Sequence, residues 1–106
     1  MNKVFVPNNR KPPRDYDLTD ANRFGEIVLV TEDKVNIFNM AELRATVKEK
    51  LVEANETDFI VMIGSPVINA LCASYMLLKF NRVNFLIFDA KSRAYEVRSV
   101  TKGEVT

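Results

Sequence analysis

The 106-residue chain contains no histidine and no tryptophan, one cysteine and three glycines. Without imidazole, the Ser–His and Cys–His forms of nucleophilic catalysis are excluded, and so is a histidine general base. Zinc sites built on His or clustered Cys go with them. Only carboxylate ligands remain, and Glu32-Asp33 and Glu56 with Asp58 read as turn and cap residues, so no metal is expected. The three glycines make no Gly-x-Gly-x-x-Gly, and no phosphate-loop lysine follows Gly64, so no cofactor is expected either. The lone Cys72 has no intramolecular disulfide partner, which suits a reducing compartment.

Long apolar runs are also missing. The most apolar stretch, residues 67–78, is interrupted by Asn69 and Ser74 and is too short to span a bilayer. The N-terminus, Met1 to Pro7, lacks the apolar core of a secretory signal. A cytoplasmic protein with no membrane contact is the expectation. Charge of one sign is not in excess: the formal net charge is +1, which argues against a main task of neutralising nucleic-acid phosphates. Both ends are nevertheless basic and the middle acidic, a pattern that suits a polar binding surface or self-association.

What is present suffices for a single domain over residues 1–106. The chain is 47% apolar, enough to bury a core without covalent staples. Lys3 to Val6 reads as a strand stopped by Pro7, and residues 8–18, with Pro12-Pro13, as an extended polar arm. Thr19 or Asp20 caps a short helical turn that Gly25 ends. Glu26 to Thr31 is a strand, and Val35 to Phe38 reads as its hairpin partner. Asn39 with Glu42 forms a capping box for a helix in which Met40, Leu43, Val47, Leu51 and Ala54 recur at helical spacing. Residues 58–63 and 83–88 are apolar strands flanking a helix from Pro66 to Lys79, so they should be parallel neighbours joined by a right-handed crossover. Ala94 to Val100 reads as an antiparallel edge strand, and residues 101–106 as a frayed end. The fold class is α/β: one layer of mixed β-sheet with two main helices, in the order β-β-β-α-β-α-β-β.

Three groups of residues could carry function. Gly64 and Ser65 end a strand and open a helix, where backbone N–H groups and the positive dipole end favour a phosphate or carboxylate. The competing reading is a tight turn and an ordinary cap, and Pro66 removes one donor. On this reading Gly64→Val abolishes anion binding while the fold survives. Leu71, Tyr75 and Leu78 lie on a helix apolar nearly all round, which suggests burial against a second copy in a homodimer. Arg10, Lys11 and Arg14 could touch an acidic macromolecule, although Asp15 and Asp17 weaken their field. Cys72, mid-helix between Leu71 and Ala73, reads as a buried structural thiol.

Val4-Phe5-Val6-Pro7-Asn8, then Asp20-Ala21-Asn22-Arg23-Phe24-Gly25-Glu26, then Val83-Asn84-Phe85-Leu86-Ile87-Phe88-Asp89 with Tyr95 beyond, resemble small bacteriophage-encoded α/β proteins of unassigned function. The resemblance implies an accessory protein in the host cytoplasm, and no catalytic residue. The leading functional expectation is a non-enzymatic, homo-oligomeric binding module that engages a host protein or another host macromolecule. The alternative is a small-anion or nucleotide-binding protein that uses the Gly64-Ser65 turn.

Overall fold

Period-2 alternation of apolar residues builds the sheet, and helical spacing supplies its cover. The computed structural model describes residues 2–9, 17–32 and 35–106. Its strands are β1 (Lys3–Asn9), β2 (Glu26–Glu32), β3 (Phe59–Val61), β4 (Arg82–Asp89) and β5 (Ala94–Thr101). The helices are α1 (Met40–Leu51), α2 (Pro66–Phe80) and a C-terminal turn, α3 (Lys102–Val105); a 3-10 turn spans Asp20–Phe24. The strands form one sheet in the order β2-β1-β3-β4-β5. All neighbours run parallel except β4 and β5. The expected parallel pair is present, with Phe59 opposite Asn84, Ile60 opposite Phe85 and Val61 opposite Leu86.

Alternation along the strands sorts two cores. Phe5, Val30, Ile60 and Val83 meet Leu43, Val47 and Leu51 of α1 and Ile68, Cys72 and Met76 of α2. Both helices therefore cover one face. Val4, Val6, Val61, Leu86 and Tyr95 point the other way and are covered by Leu18, Ala21 and Phe24.

Several local expectations are corrected. Residues 35–38 form no strand. The Phe38 N–H donates to Asn36 Oδ1 at 3.0 Å and the Asn39 N–H to the Asn36 carbonyl at 3.1 Å, so a turn forms instead. Such local side-chain bonds compete with ladder pairing. The alternation of Val35 and Ile37 reflects packing onto the helix-side core. There are thus two strands before α1, not three, and β2 is a sheet edge. The second correction is Pro7, which does not stop β1. Pairing with β3 ends at Phe5, and the β2 register passes from Val6–Leu29 to Asn8–Thr31. The missing N–H therefore interrupts no paired position. Of the arm expected over 8–18, Asn8 and Asn9 belong to β1, while residues 10–16 lie outside the described residues. Residues 101–106, expected to fray, finish β5 and add the exposed turn α3, capped by Thr101 and Glu104.

Two carboxylates hold the assembly together. Asp58, with 0% exposure, accepts from the Lys3 N–H and the Asn55 N–H, both at 2.8 Å, tying the start of β1 to the segment after α1. Asp20 accepts from the Tyr95 N–H at 2.6 Å and from Arg23 Nε at 2.9 Å. The Tyr95 N–H and then Arg23 hold its carboxyl below the usual value of 3.8.

Asp58→Ala is expected to lower stability by about 2–4 kcal/mol, since it strands two backbone donors in a site closed to water; urea unfolding measures this. Because the folded pKa of Asp20 is depressed, its contribution is complete above the unfolded value and disappears as pH falls through the folded one. Thermal melts between about pH 6 and pH 3 should therefore show a steeper acid loss for the native chain than for Asp20→Asn.

Candidate functional site at the carboxyl edge of the sheet

The strand order contains one reversal. From β1 the chain steps outward to β2, and every later parallel step runs the other way, over β1 to β3 and then to β4. The turn at Asp20–Phe24 covers one face of the sheet and α2 the other, so the segments after β1 and β3 serve opposite faces and the carboxyl ends of these strands lie side by side at the switch point. Asn8 and Gly64 stand at those two ends.

Gly64 has φ +80°, and a Cβ built there would lie 2.7 Å from the Asn8 carbonyl oxygen. Both the left-handed backbone and this close approach require glycine. Gly64→Val therefore does not leave the fold intact, contrary to the sequence-based expectation.

Ser65 occupies the N-cap of α2 in extended conformation, with Pro66 at the first helical position. The Ser65 side chain makes no capping hydrogen bond. The early N–H groups of Val67 and Ile68 have no acceptor within the helix. One turn on, the Asn69 N–H donates to the Ser65 carbonyl at 3.0 Å. Side chains on an α-helix lean toward its N-terminus, so Asn69 leans over Ser65. Asn69 is 9% exposed, and neither its Oδ1 nor Ser65 Oγ has a hydrogen-bond partner among the described residues, although both atoms are buried. On the β1 side, Asn8 Nδ2 donates to Thr31 Oγ1 at 2.8 Å, and Thr31 Oγ1 donates to the Pro7 carbonyl at 2.6 Å. Asn8 and Thr31 share the sheet face of Val4, Val6 and Leu29, opposite α2, and β1 meets the Gly64 turn at Asn8.

Gly64 and Ser65 therefore lie at the turn from β3 into α2, where the sequence places them. Sequence reasoning missed Asn69, the polar interruption of an apolar helix four residues after Ser65. It also missed Asn8 and Thr31, which only the β1–β2 register makes neighbours. Leu71 and Tyr75 lie half-buried against the helix-side core, while Leu78 is 73% exposed. Arg10, Lys11 and Arg14 lie outside the described residues. Cys72 is buried, and desolvation pushes its thiol up to about 12. Among the described residues, no three His, Cys, Asp or Glu side chains group to hold a metal ion, and no helix is long and apolar enough to cross a membrane.

Residues 2–101 match the model of a protein family described as phage Pam3 gp32-like protein. The chain belongs to this family. Membership establishes a phage protein, in line with the resemblance read from the sequence. No curated protein matches the chain. No solved structure matches it.

The thiolate is the reactive form of cysteine, and with a pKa near 12 almost none exists at neutral pH. Cys72 should label with a thiol reagent only on unfolding. Fast labelling of the native chain at pH 7 would contradict the burial described here.

Proposed function

We propose that this phage protein is a non-enzymatic binding module that holds a small anionic group, a phosphate or carboxylate, in the crevice between the ends of β1 and β3. The observation that supports the reading is the pair of buried, unpartnered atoms, Ser65 Oγ and Asn69 Oδ1, at the open N-terminus of α2. A buried polar atom left without a partner costs about 1–3 kcal/mol. The N–H groups of Val67 and Ile68 and the Ser65 hydroxyl offer donors to an anion, with the helix dipole aligned to favour negative charge. Asn69 Oδ1 accepts from a protonated oxygen or a neighbouring hydroxyl of the ligand. The setting of this reading is the host cytoplasm, where the single thiol stays reduced.

Homo-oligomerisation with docking on a host protein has less to rest on. Of Leu71, Tyr75 and Leu78, two already pack within the chain, and Leu78 alone is widely open.

Thermal melts with inorganic phosphate, which keeps a protonated oxygen for Asn69 Oδ1 near neutral pH, test the proposal at millimolar concentration. Stabilisation should rise with concentration as mass action requires. Asn69→Leu should remove that response while raising the stability of the ligand-free protein by about 1–2 kcal/mol, because it deletes an unsatisfied buried group. Ser65→Ala should weaken the response with little effect on the fold. A native chain whose melting temperature ignores phosphate, sulfate and acetate alike would remove the anion reading.

A further inference from the structure

α1 and α2 each follow the carboxyl end of a parallel strand, share one core and pack against each other. Their N-termini consequently face the same edge of the sheet, on axes that packed helices hold about 8–10 Å apart. The N-terminus of α2 carries Ser65 and Asn69. At the N-terminus of α1 stands Phe38, immediately before the cap residue Asn39.

Phe38 is 89% exposed. A hydrophobic residue in this position ordinarily folds back onto the fourth helical residue. Here that residue is Leu43, which is buried against the sheet, and Phe38 leaves it. Ile37 turns inward in its place. The exposure is not slackness in the turn. The Phe38 N–H donates to Asn36 Oδ1 at 3.0 Å. On the other side, Asn39 Oδ1 accepts from the Glu42 N–H at 3.2 Å, and Asn39 Nδ2 donates to Glu42 Oε2 at 3.0 Å. Fixed on both sides, the turn presents a flat apolar ring to solvent at the edge that carries the anion crevice. Beside it, Met40 adds a partly exposed, polarisable thioether.

We infer that the ligand is a nucleotide, with its phosphate at Ser65 and Asn69 and its base stacked on Phe38. This rests on the anion reading above and extends it. An anion alone leaves the exposed ring without a role. A sugar carrying a planar base joins the two helix N-termini across the β1 and β2 ends, and its hydroxyls supply a donor for Asn69 Oδ1. Base–aromatic stacking accepts any base, so the inference concerns the nucleotide class and not one base.

Titration calorimetry on the full chain with inorganic phosphate, ribose 5-phosphate and nucleoside monophosphates tests it. The base should tighten binding over ribose 5-phosphate by about 5- to 150-fold, the range that stacking on one aromatic supports. Phe38→Ala, a change at an exposed site, should erase that advantage and leave ribose 5-phosphate affinity unchanged. Equal affinity for ribose 5-phosphate and the nucleotides, or an advantage that survives Phe38→Ala, overturns the nucleotide inference. In that case binding of phosphate that is lost in Asn69→Leu keeps the anion reading standing. No binding of any of the three removes both.

Discussion

A sheet that is parallel across four of its five strands must be covered on both faces, and here only one face receives full helices. The opposite face depends on Leu18, Ala21 and Phe24, carried on a turn too short to stay in place by its own hydrogen bonds. Tyr95 anchors it. Its hydroxyl donates to the Asp17 carbonyl at 2.9 Å, its N–H to Asp20, and its carbonyl accepts from Arg23 Nη2 at 2.8 Å. Arg23 also lies 4.0 Å over the Phe24 ring, and Phe24 meets Phe59 of the central sheet. A break in this set would expose Val4, Val6, Val61 and Leu86 together.

The same bonds protect the sheet edge. β5 pairs with β4 from Ala94 to Thr101 without a bulge, and its outer side would be open to another strand. Asp20 and Arg23 occupy the outward N–H and carbonyl of Tyr95. Arg98 Nη1 donates to the Val97 carbonyl at 2.7 Å, and Glu104 Oε1 accepts from the Thr101 N–H at 2.7 Å. Side chains thus occupy backbone groups at both ends and in the middle of the edge that a further strand would need. One set of residues thus covers a face and blunts an edge.

The reversal in strand order has a second consequence. Because α2 covers one face and the turn at Asp20–Phe24 the other, the carboxyl ends of β1 and β3 meet at the switch point of the sheet, where open α/β sheets bind ligands. Asn8, Thr31, Ser65 and Asn69 come from three segments far apart in the chain, and the reversal brings them to the carboxyl edge, Asn8 and Thr31 on the face opposite α2.

Much of this architecture is legible in the residues themselves. The parallel strands expected at 58–63 and 83–88, the Asn39–Glu42 cap and the Ser65-Pro66 helix start each depend on local rules of spacing, capping and φ, and the structure keeps them, although the first strand is shorter and ends at Val61. The strand expected at Val35–Phe38 shows where such rules fail. Alternation reports burial on one side, and a turn packed beneath a helix has the same pattern as a strand. Pro7 shows the same limit, since whether a missing N–H matters depends on which partner lies alongside. The site divides in the same way. The Gly64-Ser65 turn is readable because it is local, whereas Asn69 becomes a candidate only because its one-turn spacing from Ser65 coincides with burial, and the Asn8–Thr31 pair appears only because β1 and β2 pair in register. Sequence by itself determined the elements and their ends; tertiary structure decided their order in the sheet, because strand order is set by long-range pairing and two-sided burial that no local window contains.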